Sequence, residues 1–168
     1  MKWSKLKQTI ESKFVDNVIR RVEFFSTTYR KPNSDTGRGW ITVDKEEIVN
    51  FAAIKSWWNF RAYFHETTQT NCKTHPAIKD NERSEGELIE EGEFSRFDLH
   101  NSCWEYLNLT VEERLKHKSP IINSLAVLDK WLGKRRLVNI DKEQLHPLTK
   151  KLLEFQLSVE NLTPLAQT

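Results

Sequence analysis

Two stretches decide the fold: Arg20-Arg-Val-Glu-Phe-Phe-Ser-Thr-Thr-Tyr-Arg30 and Arg38-Gly-Trp-Ile-Thr-Val-Asp44. Both are rich in β-branched and aromatic residues and alternate with a period of two, which indicates strands. The residues between them, Lys31 to Gly37, are mostly turn formers. The pattern therefore predicts a β-hairpin at about 20–30 and 38–44.

Alternation along the hairpin places aromatic side chains on one face of each strand. Phe25 and Tyr29 share a face of the first strand. In the second strand, Ile41 and Val43 share one face and Trp40 lies on the other. Such a face could stack nucleic-acid bases, as in single-strand binders. The alternative is that these aromatic rings pack under a helix.

A long helix is predicted directly after the hairpin. Asp44-Lys-Glu-Glu47 has the composition of a capping box, in which Asp44 accepts free amides of the first turn and Glu47 reaches back. The residues that follow carry large apolar side chains around nearly the whole helix, which indicates a buried element. One stripe of this helix would hold Phe51, Ile54, Trp58, Ala62 and His65.

Helical patterns occupy both sides of this region. An N-terminal amphipathic helix is predicted from residues spaced by three and four: Trp3, Leu6, Ile10 and Phe14. In the C-terminal half, helices are predicted over 94–107, after capping boxes at Thr110 and Asp141, from Pro120 to Leu132, and from Pro147 onward. Gly133 is expected to end the helix that precedes it.

These elements define the expected architecture. The fold class is α+β: an N-terminal helix, the β-hairpin, the long apolar helix after Asp44, and a mostly helical C-terminal half. The 168 residues suit one domain, with a flexible polar and acidic loop at about 67–93. We find neither a signal-peptide pattern nor an apolar run that spans a bilayer, so we expect a cytoplasmic protein without membrane contact.

Charge is segregated along the chain although the formal net charge is only +2. Residues 81–113 carry two Lys/Arg and ten Asp/Glu, whereas residues 114–136 carry seven Lys/Arg and one Asp/Glu. The acidic block could shield a basic surface or recruit a basic partner, or it could be a solvated acidic loop.

The densest positive charge follows Gly133. Lys134, Arg135 and Arg136 are consecutive, and Lys130 precedes them by one helical turn. Because Gly133 is expected to end a helix, these cations would complement the negative helix terminus. Three adjacent cations exceed what one helix end needs, so they are also candidate contacts for an acidic partner or for this chain's own glutamates at 82–93. The candidate partner-binding residues are Lys130, Lys134, Arg135, Arg136 and Arg38.

One constellation has the composition of a metal site. Cys72 and His75 are three residues apart, and His100 and Cys103 repeat the spacing in reverse order. Two thiolates and two imidazoles are the ligand set of a structural zinc. The alternative is a buried cysteine and surface histidines, and no cofactor other than zinc is indicated.

Catalytic motifs are not found in the sequence. Gly133-Lys134 follows a predicted helix, whereas a phosphate-binding loop must precede one. We find no nucleophile elbow, zinc-protease helix or dinucleotide fingerprint, and no catalytic residue is assigned. The sequence therefore favours a non-enzymatic protein.

Several segments together resemble a family of small uncharacterised bacterial cytosolic proteins. They are Met1-Lys-Trp-Ser-Lys-Leu-Lys7, the hairpin residues Arg21-Val-Glu23 and Thr36-Gly-Arg-Gly-Trp-Ile-Thr-Val-Asp44, Gly92-Glu-Phe-Ser-Arg-Phe-Asp-Leu-His100 with Cys103-Trp104, and Leu125-Ala-Val-Leu-Asp-Lys-Trp-Leu-Gly-Lys-Arg-Arg-Leu137. The resemblance implies a bacterial cytosolic single-domain protein and assigns no activity, cofactor or site.

Three functional hypotheses follow. The first is a protein-interaction module of a bacterial accessory system that binds a partner protein through segregated charge and aromatic surface. The second is a nucleic-acid-binding protein that uses the basic 114–136 segment. The third is a zinc-stabilised small domain with Cys72, His75, His100 and Cys103.

Overall fold

A computed structural model describes residues 2–28, 37–52, 88 and 93–162. Within these residues the architecture is α+β: a three-stranded antiparallel sheet, with helices before it and after it along the chain. The predicted fold class is therefore confirmed. The described elements are α1 (Trp3–Glu11), β1 (Val22–Thr28), β2 (Gly37–Val43), β3 (Glu46–Ala52), α2 (Arg96–Tyr106), α3 (Val111–Leu115), α4 (Pro120–Ala126), α5 (Lys134–Val138) and α6 (Pro147–Val159), with a short 3₁₀ turn at Asp16–Val18.

The predicted hairpin is present, and β1 pairs with β2 from Val22 opposite Val43 onward. The helix predicted from Asp44 is wrong at its start, because Glu46–Ala52 is the third strand and pairs with β2. The reason is local: Asp44 and Lys45 have φ angles of 50° and 73° and form a two-residue hairpin turn. The Asp44 carboxylate accepts two hydrogen bonds from Arg21, at 2.7 and 2.6 Å, instead of capping a helix.

Residues 53–66 of that predicted helix lie outside the described residues, as do Tyr29 and most of the predicted acidic loop at 67–93. Of that loop, Leu88 and Glu93 are described. Leu88 packs against the core, and Glu93 contacts His146 at 3.0 Å.

One face of the sheet joins the core, and α2 packs against it at a glycine. Val22, Phe24, Ile41, Val49 and Phe51 are buried on this face. A Cβ built on Gly39 would lie 2.7 Å from the Leu99 Cδ2 atom of α2, so any larger residue here would force the buried Leu99 side chain to shift.

We expect Gly39→Ala to lower the free energy of unfolding by about 1–3 kcal/mol, because the added methyl group overpacks the contact with the fully buried Leu99. Urea unfolding followed by circular dichroism measures the change. Asn50→Ala, at an exposed position of β3, is the control and should change the stability by less than about 0.5 kcal/mol. An equal effect of both substitutions would contradict the steric explanation.

The C-terminal helices build the other half of the core. Helix α4 packs against α2, α3 and α6. The capping box at Thr110 is confirmed, with the Thr110 hydroxyl and the Glu113 carboxylate bonded to each other's backbone amides. Helix α6 begins at Pro147, as predicted. The buried apolar residues run from Leu6 in α1 to Leu157 in α6 as one contiguous cluster.

Two predicted helix boundaries in this half are wrong. The helix from Pro120 ends at Ala126 rather than at Leu132, and Asp129 forms an isolated β-bridge with Phe14. The Asp141 carboxylate accepts a bond from the Glu143 amide two residues on, which closes a turn instead of starting a helix. The spacing of apolar residues could predict neither contact, since Asp129 bridges a distant residue and Asp141 bonds to the backbone of its own turn.

Candidate functional site

The predicted cations Lys130, Lys134, Arg135 and Arg136 lie together in the segment between α4 and α6, which we call the basic segment, residues 130–136. Gly133 does not end a helix. It has a φ of 75° and is the N-cap of the five-residue helix α5, so the three consecutive cations form the first turn of a helix. Lys134 lies in the first turn of α5, where the helix dipole does not favour a cation, whereas Arg135 and Arg136 also belong to its last turn. The expectation that the three cations complement the C-terminus of the preceding helix is wrong, because that helix ends at Ala126.

A buried ion pair holds the start of the basic segment. Asp129 is 2% exposed, and its Oδ2 accepts a bond of 2.6 Å from Arg114 Nη1 and another of 2.6 Å from the Tyr106 hydroxyl. Its Oδ1 accepts a bond of 2.9 Å from the Trp131 amide. Arg114 also donates to the Tyr106 carbonyl oxygen at 2.9 Å, and burial together with the hydrogen bond to Asp129 raises the pKa of Tyr106. The backbone at residues 129–131 is thus fixed from the interior.

The residues that follow α1 hold the same segment from the other side. The Val15 amide donates to the Leu128 carbonyl oxygen at 3.0 Å, and the Lys130 amide donates to the Lys13 carbonyl oxygen at 2.9 Å. The Lys130 ammonium group bonds to the Ser12 carbonyl oxygen at 2.9 Å. One of the candidate partner-binding cations therefore has an intramolecular acceptor.

Two more of these cations are paired with carboxylates. Lys134 Nζ lies 2.6 Å from Glu160 Oε2, and Arg136 Nη1 lies 2.9 Å from Glu112 Oε1. The glutamates are not the predicted ones at 82–93, of which only Glu93 is described. Arg135 is exposed, and within the described residues its side chain makes no ion pair. Because the Arg136–Glu112 pair is exposed on both sides, at 57% and 61%, Arg136 can exchange this partner at small cost. The Glu160 side chain is only 7% exposed, so loss of its pair with Lys134 would leave a largely buried carboxylate without its counter-ion.

Trp131 lies among these cations and was not predicted as a site residue. Its side chain is 68% exposed, more than that of the other exposed large hydrophobic residues of the described chain, Phe97 and Trp104. The apolar period from Leu125 to Leu132 made Trp131 look like part of a helix surface. The position of Trp131 between Lys130 and Lys134 was the only sequence feature that could have marked it as a site residue. That position does not show whether the side chain is exposed.

Arg38 belongs to a different surface, on β2. Its guanidinium group bonds to both Glu47 carboxylate oxygens, at 3.2 and 2.9 Å, and lies 4.3 Å from the centre of the Trp40 ring. Trp40 stacks on Phe25 with ring centres 5.0 Å apart, and Lys7 Nζ lies 4.5 Å from the centre of the Phe25 ring. The predicted aromatic face is thus partly present, but cations of the chain itself lie over both rings.

The predicted zinc ligands are only half described. Cys72 and His75 lie outside the described residues. Cys103 is buried in the core, and burial raises the pKa of its thiol, which disfavours the thiolate that binds metals.

His100 Nε2 lies 2.8 Å from the Ser26 hydroxyl, and its ring stacks on Trp3 with centres 4.4 Å apart. Burial, with a smaller effect of Arg96, lowers the pKa of His100. Within the described part of the chain, no three His, Cys, Asp or Glu side chains are arranged to hold a metal. The zinc site stays a prediction, since two of its four residues are not placed.

The fold and this surface define a small α+β protein with an anchored, basic and aromatic surface segment. A family model matches residues 2–157, and the chain belongs to the SF0329 protein family. That description names no activity or ligand. Searches of curated proteins and of solved structures found no match.

Among the described residues, none of the helices has the length and apolar character for crossing a membrane.

Proposed function

We propose that this protein is a non-enzymatic protein-interaction module that binds an acidic segment of a partner protein through Trp131 and the basic segment. The same proposal assigns it to a bacterial accessory system in the cytoplasm. The observation that carries it is the 68% exposure of Trp131 in a stretch that also holds Lys130, Lys134, Arg135 and Arg136. Trp and Arg are the residues that most often dominate the free energy of binding at protein interfaces.

The anchoring of the segment supports the proposal. The Trp131 amide is bonded to the buried Asp129, and the Lys130 amide is bonded to the carbonyl oxygen of Lys13, just after α1, so the backbone that presents the indole is ordered before any partner arrives. A preorganised surface loses less conformational entropy on binding. The exposed indole is thereby presented at little entropic cost.

The charge distribution favours an acidic protein over a nucleic acid. Glu160 and Glu112 lie within ion-pair distance of Lys134 and Arg136, and the formal net charge of the chain is only +2. Dedicated nucleic-acid domains carry a stronger uncompensated charge, and stacking of bases needs free ring faces. The Phe25 and Trp40 rings are instead stacked on each other and lie next to Lys7 and Arg38. Nucleic-acid binding is therefore the alternative function, and the experiment described next distinguishes it from binding of an acidic protein.

We expect Trp131→Ala to weaken binding of the partner about 30-fold, because the exposed indole is the apolar centre of the interface. The tagged full-length chain is used to capture proteins from its host with and without nuclease. A captured acidic protein is then purified, and its affinity for wild-type and variant chains is measured by calorimetry at about 50 and 200 mM salt.

Trp104→Ala is the matched control, because Trp104 is 53% exposed but lies on α2. We expect it to leave the affinity unchanged, while Arg135→Ala should reduce the rate of association and its salt dependence. Equal effects of the two tryptophan substitutions would contradict the proposed surface.

Capture that disappears with nuclease, and an affinity that falls steeply with salt, would assign the basic segment to nucleic acid. One equivalent of zinc in the purified chain would support the zinc-stabilised domain instead.

A further inference from the structure

A cavity opens beside the basic segment, and most of its wall is apolar. It has a volume of about 150 Å³ and lies between the residues that follow α1, the segment after α4, and helices α5 and α6. Four aliphatic residues line it: Val15, Val127, Leu132 and Leu137. A cavity of about this volume accommodates a molecule the size of benzene, so it has room for the smaller side chain of a leucine.

The cavity is reached from the surface that presents Trp131. Lys130, Gly133 and Lys134 line the cavity and are exposed, so they form its mouth. Trp131 does not line it but lies in sequence between Lys130 and Leu132, which do. Neighbouring residues of a chain are only about 3.8 Å apart. One short segment of a partner can therefore contact the Trp131 indole and also place a side chain in the cavity.

The charged residues that line the cavity leave one cation without a counter-ion. Asp129 is held in its buried ion pair, and Glu160 is paired with Lys134. Lys130 is exposed, and within the described residues its ammonium group bonds to the Ser12 carbonyl oxygen and to no carboxylate. The mouth of the cavity therefore favours a carboxylate over a cation or a neutral group.

We propose that the cavity receives a leucine side chain from the acidic segment of the partner, and that a carboxylate next to this leucine pairs with Lys130. The inference rests on the proposed function and specifies the partner further, as an acidic segment with a leucine anchor. Transfer of the leucine side chain from water to the apolar wall supplies affinity, whereas the carboxylates supply orientation and a faster association.

The test uses two capped synthetic heptapeptides, each with three glutamates on either side of a central leucine or alanine. They are titrated at low salt into the full-length, ¹⁵N-labelled chain and followed by NMR. We expect the leucine peptide to bind at least about tenfold more tightly, because its side chain leaves water for an apolar wall. It should also shift the amide signals of Val127 and Leu137, which line the cavity and are buried. Lys130→Gln should weaken both peptides about threefold, as suits an exposed ion pair.

Val15→Phe enlarges a side chain of the cavity wall and should lower the affinity for the leucine peptide to that for the alanine peptide. Val111→Phe, at a half-buried valine of α3 that does not line the cavity, is the control and should retain the tenfold preference. Circular dichroism spectra that match the wild-type spectrum verify that both variants fold.

Equal affinities of the two peptides for the wild-type chain would overturn the inference, and this comparison needs no variant to fold. If Trp131→Ala then weakens both peptides, the proposed partner-binding surface stands and only the leucine anchor fails. If neither peptide binds the wild-type chain at low salt, the leucine anchor and the acidic partner both fail.

Discussion

Asp129→Ala is expected to lower the free energy of unfolding by about 3–5 kcal/mol. The substitution leaves the Arg114 guanidinium group buried without its counter-ion, since the two side chains are only 6% and 0% exposed. It also removes the acceptor of the Tyr106 hydroxyl and of the Trp131 amide. Urea unfolding, followed by far-ultraviolet circular dichroism because six tryptophans complicate fluorescence, measures the loss.

Glu112→Ala is the matched control, because it breaks the ion pair with Arg136, whose two side chains are 61% and 57% exposed. That loss should be below about 1 kcal/mol. The double variant Arg114→Met/Asp129→Leu should be clearly less unstable than the sum of its single substitutions, since it leaves no unpaired buried charge. A loss below about 1 kcal/mol for Asp129→Ala would show that this network does not hold the basic segment.

Phe14→Ala is the second substitution for which we expect a large effect, a loss of about 3–5 kcal/mol. Phe14 is fully buried, its ring lies 5.8 Å from that of Phe24 in β1, and its backbone bridges Asp129. Its side chain thus packs the residues that follow α1 against the sheet, at the point where the basic segment is attached. Removing the ring leaves a cavity that the surrounding elements cannot close without moving.

The control for Phe14 is Phe97→Ala, which removes a phenylalanine ring that is 47% exposed on α2. Its cost should be below about 1 kcal/mol, because little apolar area leaves the core. The same urea titration serves both variants. Similar losses for the two substitutions would mean that Phe14 is not part of the tightly packed core.

Local patterns predicted the elements whose ends are marked by strong local signals. Alternation with flanking turn residues predicted β1 and β2, the spacing of Leu6 and Ile10 predicted α1, and the Thr110 box and Pro147 marked the starts of α3 and α6. In each case backbone preference and apolar period agree with the tertiary environment. Such agreement is what makes a local prediction reliable.

The third strand was missed because two local signals conflicted. Asp44 and Glu47 have the spacing of a helix start, whereas Ile48-Val49 and the alternation of Val49 with Phe51 fit a strand. Pairing with β2 decided the outcome, since it buries Val49 and Phe51 and satisfies the backbone of the segment. A contact with a neighbouring strand does not appear in the local pattern.

For the candidate site, the sequence by itself determined which residues are available: the cations of the basic segment and Trp131. Only the tertiary structure decided what they do. The burial of Asp129 against Arg114 turns the chain away from a continued helix and exposes Trp131. The physical reason is that burying a charge is costly unless its partner is brought to it, and Asp129 and Arg114 belong to different elements that meet only in the folded chain.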